Sequence, residues 1–129
     1  MNDSEFVRAV ERCEFPKESF HHRDHIRLAW IYLRQCDRGE AERRMADTIR
    51  RFAAHHGVTD KYHETITLAW MRLVAHALAQ APDAALQDLV GRVPSLLDKN
   101  AIAEYYSDAV LQSDAAKSAW AEPDKRPLP

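Results

Sequence analysis

Two segments of this chain carry apolar residues around most of the circumference of a helix. A helix that is apolar on most sides must be covered by neighbouring elements on most sides. We therefore predict two central helices, one from His22 or Asp24 to about Gln35 and one from just after Thr59 or Asp60 to about Gln80. The apolar positions are Ile26, Leu28, Ala29, Trp30, Tyr32 and Leu33 in the first, and Ile66, Leu68, Ala69, Trp70, Met71, Leu73, Val74, Ala77 and Leu78 in the second.

The rest of the chain predicts a fold made only of helices. Alternating apolar and polar runs bounded by turn residues, the pattern of strands, are absent. With 129 residues, the chain has the size of one domain. We predict an all-α, single-domain irregular helical bundle of five or six helices over residues 1–122, followed by a proline-rich tail over 123–129. The outer helices are predicted over Ser4–Cys13 with Asp3 or Ser4 as cap, Glu40–His55 with Gly57 at its end, Asp83–Val90 with Gly91 and Pro94 interrupting it, and Asp114–Trp120 with Ser113 as cap.

Composition and charge exclude several classes of protein. The net charge is −2 with neutral histidines, whereas nucleic-acid binding requires a basic face or a basic domain. No apolar stretch approaches the roughly 20 residues that span a bilayer. Two cysteines, Cys13 and Cys36, are too few for a disulfide framework, and the acidic segment over residues 1–5 lacks the basic and apolar regions expected of a signal peptide. We expect a cytoplasmic protein that contacts neither membrane nor nucleic acid.

The first central helix begins with two histidines on one side. His22 and His25 are three residues apart, which places them on the same side of a helix. The backbone dipoles at a helix start disfavour protonated imidazole, and neutral imidazole is the form that binds a metal or acts as a base. This spacing predicts a pair of metal ligands. The alternative is structural: His21 or His22 replaces a helix cap, and His25 is a hydrogen-bonded core residue.

The second central helix begins with His63 and Glu64. Each lies on a largely apolar helical stripe, so both side chains are predicted to border one space between helices. The run from His63 to Thr67 resembles the zinc-binding pattern HExxH, but Thr67 stands where the second histidine must be, so the zinc-protease assignment fails. The alternative is that Glu64 interacts with the helix dipole and His63 is an ordinary buried histidine.

Parallel central helices would bring these two histidine segments together. With His22, His25 and His63 as ligands, and Glu64 as ligand or general base, the cluster suits Fe(II), Mn(II) or Zn(II). Tyr105 is a candidate proton donor, with packing as its alternative role. His55 and His56, at the end of the predicted helix over residues 40–55, are expected to be solvated, and His76 to be structural.

Three functions follow from these patterns. The leading hypothesis is a small metal-dependent enzyme, with the type of reaction left open between oxidation and hydrolysis. The second is a metal-free module in which the histidines and Glu64 hydrogen-bond a small-molecule ligand. The third is a helical protein-interaction domain in which these residues are internal polar contacts.

Overall fold

The computed structural model describes all residues 1–129 and contains only helices and connecting segments. This confirms the all-α prediction, and the five α-helices of seven residues or more agree with the predicted five or six. None of the helices combines the length and apolar character that a membrane span requires. The α-helices are α1 (Asp3–Glu11), α2 (His22–Gln35), α3 (Arg38–His55), α4 (Glu64–Gln80), α5 (Leu86–Arg92), α6 (Asp108–Leu111) and α7 (Asp114–Ser118); 3-10 segments span Lys17–Ser19, Thr59–Lys61, Pro94–Leu97 and Lys99–Glu104.

The chain folds into two compact units. The first unit is Met1–Tyr62 and the second is His63–Pro129. The first contains α1 to α3, and the second contains α4 to α7. The predicted single domain over residues 1–122 therefore stays a prediction.

In the first unit, α3 packs against both α1 and α2. A buried polar contact joins the three helices. The hydroxyl of Tyr32, on α2, donates to Glu11 Oε2 of α1 at 2.7 Å and lies 3.0 Å from Thr48 Oγ1 of α3. Burial of the phenol raises the pKa of Tyr32 well above its ordinary value. Arg44 pairs with Glu11 at 3.2 Å and lies over the Tyr32 ring. The guanidinium thus compensates the negative charge of the partly buried Glu11 carboxylate.

Two predicted helix boundaries and one predicted cap in this unit differ from the structure. Helix α1 ends at Glu11 and not at Cys13, because Cys13 adopts the left-handed conformation with φ of 61°. Its cap is Asn2, whose side chain accepts from the backbone N–H of Glu5 at 2.8 Å. Helix α3 starts at Arg38, two residues earlier than predicted. The predicted end of α3 is confirmed, since Gly57 has φ of 72°.

In the second unit, α4 packs against α7 through the hydroxyl of Thr65. Thr65 is fully buried, and its Oγ1 lies 2.7 Å from the carbonyl of Ala116 and 2.9 Å from that of Ala119. The same oxygen accepts from the backbone N–H of Ala121 at 3.0 Å. One buried hydroxyl thus satisfies backbone groups at the end of α7, which has only five residues.

The predicted start of α4 is wrong. Thr59 and Asp60 lie in a 3-10 segment, and the α-helix begins at Glu64 with His63 as its cap. Helix α5 also differs, since it spans Leu86–Arg92 and includes Gly91, which was expected to interrupt it. The cap at Ser113 is confirmed by its bond to the backbone N–H of Ala116, at 3.2 Å.

The tail over residues 123–129 has no helix, yet it packs against its own unit. Asp124 Oδ1 accepts from the backbone N–H of Ser107 at 2.8 Å, and hydrogen bonding with the side chain and then the backbone of Ser107 lowers the pKa of Asp124. The backbone N–H of Lys125 donates to the carbonyl of Tyr105 at 3.0 Å. These bonds fix the direction in which the last residues run.

Candidate functional site

His63 is engaged by the protein through both ring nitrogens. Nδ1 accepts from the backbone N–H of Ile66 at 3.1 Å, which caps α4. Nε2 lies 2.7 Å from the carbonyl of Leu111. Because Nδ1 is the acceptor, Nε2 carries the proton that this carbonyl accepts. A metal ion would have to break one of these two bonds before His63 could be its ligand.

The other predicted site residues of the second unit are Glu64 and Tyr105. Glu64 is the first residue of α4 and is half-buried. Tyr105 is 8% exposed, and the guanidinium of Arg126 lies 5.6 Å from its ring centroid. His22 and His25 belong to the first unit. The grouping of those two histidines with His63, Glu64 and Tyr105 stays a prediction.

His22 and His25 both lie in the first turn of α2, as predicted. His21 precedes the helix, and its backbone N–H donates to Asp24 Oδ2 at 2.9 Å. Burial, with a smaller contribution from the charge of His22, lowers the pKa of His25 to about 4. His25 is therefore neutral at physiological pH, which is the state that the sequence predicted for this position.

The imidazole of His25 forms part of the wall of a cavity of about 410 Å³. Its ring packs against Phe20, with 4.6 Å between centroids, and Phe20 packs against Phe52 at 5.0 Å. Neither ring nitrogen of His25 hydrogen-bonds another protein group, in contrast to both nitrogens of His63. We call this space the His25 cavity; Ile49, Val58 and Tyr62 are also among its walls.

Charged side chains surround the apolar part of the His25 cavity. Lys17, Glu18 and Lys61 line it and are all exposed. Two lysines against one glutamate leave one net positive charge, since His25 is neutral. Neither lysine forms an ion pair inside the protein. This arrangement favours an anionic group over a cationic one at the rim.

Sequence reasoning missed most residues of this cavity. Phe52 was recognisable as part of the apolar stripe of α3, and Phe20 directly precedes the first histidine segment. Tyr62 directly precedes the second histidine segment, whereas Lys17 and Lys61 carried no signal because they are far apart in the chain. No helical spacing relates residues 17 and 61.

His56 is not solvated as predicted. Its ring packs against Phe52, with 4.4 Å between centroids, and its Nε2 is buried without a hydrogen-bond partner. His55, the last residue of α3, is exposed as expected. The two histidines differ because the chain turns back at Gly57, which has positive φ, so the His56 ring packs against Phe52 of α3.

Comparison with known proteins leaves this site to be interpreted from its own geometry. No three histidine, cysteine, aspartate or glutamate side chains of the chain form a group that could hold a metal ion. No family model, no curated protein and no solved structure matches the chain.

Proposed function

We propose that this protein binds a small, largely apolar molecule with a polar group in the His25 cavity. The observation that carries the proposal is the His25 imidazole, which lies on the cavity wall without a hydrogen-bond partner from the protein. A polar group removed from bulk water is satisfied by a ligand or by a water molecule. A cavity of about 410 Å³ falls within the usual range of small-molecule sites.

The walls indicate which class of ligand fits. Phe20, Phe52 and Tyr62 provide aromatic surfaces, which favour a planar apolar body. Neutral imidazole has one donor and one acceptor nitrogen, so a hydroxyl, carbonyl or carboxyl group can bind it. The unpaired Lys17 and Lys61 favour an acidic group at the rim. An aromatic acid meets all three conditions.

A metal-dependent enzyme is the second proposal. It is favoured by the position of His22 and His25 on one turn of α2, close enough for the charge of one to lower the pKa of the other. In this proposal His22 and His25 bind Fe(II), Mn(II) or Zn(II). The bonds of His63 to Ile66 and Leu111 weigh against it as a third ligand.

We propose the cytoplasm as the location of the protein. Cys13 and Cys36 are both free thiols, and free thiols persist in reducing compartments. Alkylation of the thiols at the moment of cell lysis, followed by mass measurement, checks this. Two alkylated cysteines are expected, and a disulfide in the extracted protein would contradict the proposal.

Binding is tested with indole-3-acetate and its neutral counterpart indole as probes. Methyl resonances of Ile49 and Val58, and the imidazole nitrogens of His25, are followed during titration by NMR. We expect saturable shifts at these groups, with tighter binding of the acid. His25→Leu puts an apolar side chain of similar size on the cavity wall and removes the imidazole that would hydrogen-bond the ligand. We expect this change to weaken binding about fivefold to tenfold, the effect of one net hydrogen bond.

The matched control is His55→Leu, which removes an exposed imidazole from the same unit. It should bind the probes like the wild type. Absence of saturable shifts at Ile49 and Val58 with both probes contradicts the ligand proposal. Stoichiometric uptake of Zn(II), Mn(II) or Fe(II) by tag-free protein, lost in His25→Leu and kept in His55→Leu, would favour the metal-dependent enzyme in its place.

A further inference from the structure

We propose that a second cavity, within the second unit, binds a small carboxylate with an apolar body through Arg92 and Tyr105. This cavity has a volume of about 550 Å³. Helices α4 and α5 and the two 3-10 segments that follow α5 provide its walls. We call it the Arg92 cavity. It is lined only by residues 70–129, so it is separate from the His25 cavity and from the function proposed there.

The floor of the Arg92 cavity is apolar and largely withdrawn from solvent. Trp70 is 7% exposed, Ala77 6%, Leu89 1% and Leu96 2%. When a ligand covers the part of this surface that is still open to water, the binding free energy becomes more favourable by roughly 25 cal/mol for each Å² of apolar area removed from water. The floor therefore selects a ligand with an apolar body.

The charges around the cavity leave one cation without a partner. Arg92 and Glu104 both line the space. Glu104 is neutralised by Arg126 at 3.2 Å, whereas Arg92 forms no ion pair with any acidic side chain or with the chain terminus. Guanidinium binds carboxylate with two parallel hydrogen bonds, a geometry that ammonium and imidazole do not offer. The unpaired charge therefore selects an anion, and a carboxylate in particular.

Tyr105 adds a second polar group to the same space. Its ring is buried and lines the cavity, and its hydroxyl makes no hydrogen bond inside the protein. The neighbouring Tyr106, by contrast, donates its hydroxyl to the carbonyl of Ala121 at 2.8 Å. Of these two adjacent tyrosines, only Tyr106 has its hydroxyl occupied by a hydrogen bond inside the protein. The hydroxyl of Tyr105 is available to donate to a carboxylate oxygen.

The tail completes one wall of the cavity. The ammonium of Lys125 donates to the carbonyl of Ala103 at 2.7 Å, and Arg126 pairs with Glu104. These contacts direct the last residues so that Pro129 lines the cavity. Proline adds apolar surface without an N–H group that would need a partner.

The test uses 3-phenylpropionate and its neutral counterpart 3-phenylpropanol with the full chain. Methyl resonances of Leu89 and Val93 report on this cavity, and those of Ile49 and Val58 report on the His25 cavity. We expect saturable shifts at Leu89 and Val93 with the acid, and at least tenfold weaker binding of the alcohol. Arg92→Gln should weaken binding of the acid about tenfold or more, because it removes a charge-assisted pair. Tyr105→Phe should weaken it about threefold to tenfold.

Two controls separate this site from general effects. Lys99→Gln removes an exposed cation of the same unit that does not line the cavity, and it should leave the affinity unchanged. His55→Leu should also leave it unchanged, since His55 is exposed in the first unit and lines neither cavity. Equal binding of acid and alcohol, unchanged binding in Arg92→Gln, or no saturable shift at Leu89 and Val93 would each overturn the proposal. Circular dichroism confirms that each variant is folded.

Discussion

The lowered pKa of His25 makes the stability of the protein depend on pH in a defined direction. The folded protein binds a proton at His25 only near pH 4, whereas the ordinary pKa of histidine is 6.5. Between these values the unfolded chain binds a proton that the folded protein does not. The free energy of unfolding therefore falls as the pH is lowered from 6.5 towards 4, and this contribution is fully present above pH 6.5.

The size of this effect follows from the two pKa values. Each unit of difference corresponds to about 1.4 kcal/mol, so the fall from 6.5 to about 4 sets an upper bound of about 3.5 kcal/mol. His25 keeps some contact with solvent through the cavity, so the measured loss will be smaller than this bound. The charge of His22 contributes part of it, and the exposed Lys17, Glu18 and Lys61 around the cavity are screened by salt.

The assay is urea unfolding of the wild type, His25→Leu and His55→Leu at pH 7, 5.5 and 4.5. His25→Leu removes the proton-binding group, and an apolar replacement of an unpartnered imidazole is expected to be neutral or stabilising at pH 7. The difference in unfolding free energy between the wild type and this variant should grow by about 1–2 kcal/mol between pH 7 and 4.5. His55→Leu keeps His25 and should follow the wild type. A difference that stays constant over this range would refute the assignment of His25 as a half-buried, neutral imidazole.

Three further predictions test the rest of the fold, each by urea unfolding. Gly57→Ala should destabilise the protein by about 1 kcal/mol because Gly57 has positive φ, whereas Gly91→Ala, inside a helix with open space around it, should stabilise it by up to about 1 kcal/mol; equal effects would contradict the backbone assignment. Thr65→Val should cost about 1–3 kcal/mol, because it leaves buried backbone groups without a partner, and a neutral result would mean that water replaces the hydroxyl. His63→Ala should cost about 1–2 kcal/mol and His63→Asn less, because asparagine restores the cap but not the bond to Leu111; equal losses would contradict a capping role.

Helices whose apolar residues repeat at helical spacing could be predicted from local sequence. The two central helices follow from apolar residues repeated at helical spacing, and α2 begins at His22 and ends at Gln35 as predicted. The start of α4 was wrong because Thr59 and Asp60 are good caps in isolation, yet the chain makes a 3-10 turn there and His63 performs the capping. The identity of a cap depends on which backbone N–H groups the side chain reaches, and composition does not determine this.

For the candidate sites, too, the sequence predicted local features, and the tertiary structure decided the contacts between distant residues. That His25 would face inward follows from its place at the start of an apolar helix, and the sequence predicted this. Its neutral state is caused mainly by burial, which the packing of the unit decides. Tertiary structure decided which partners each histidine has. The ring of His63 hydrogen-bonds a carbonyl 48 residues away. The ring of His25 lines a cavity whose other walls are formed by side chains between residues 17 and 62. Helical periodicity acts over a few residues, whereas these contacts are set by the packing of elements distant in the chain, so no sequence spacing records them.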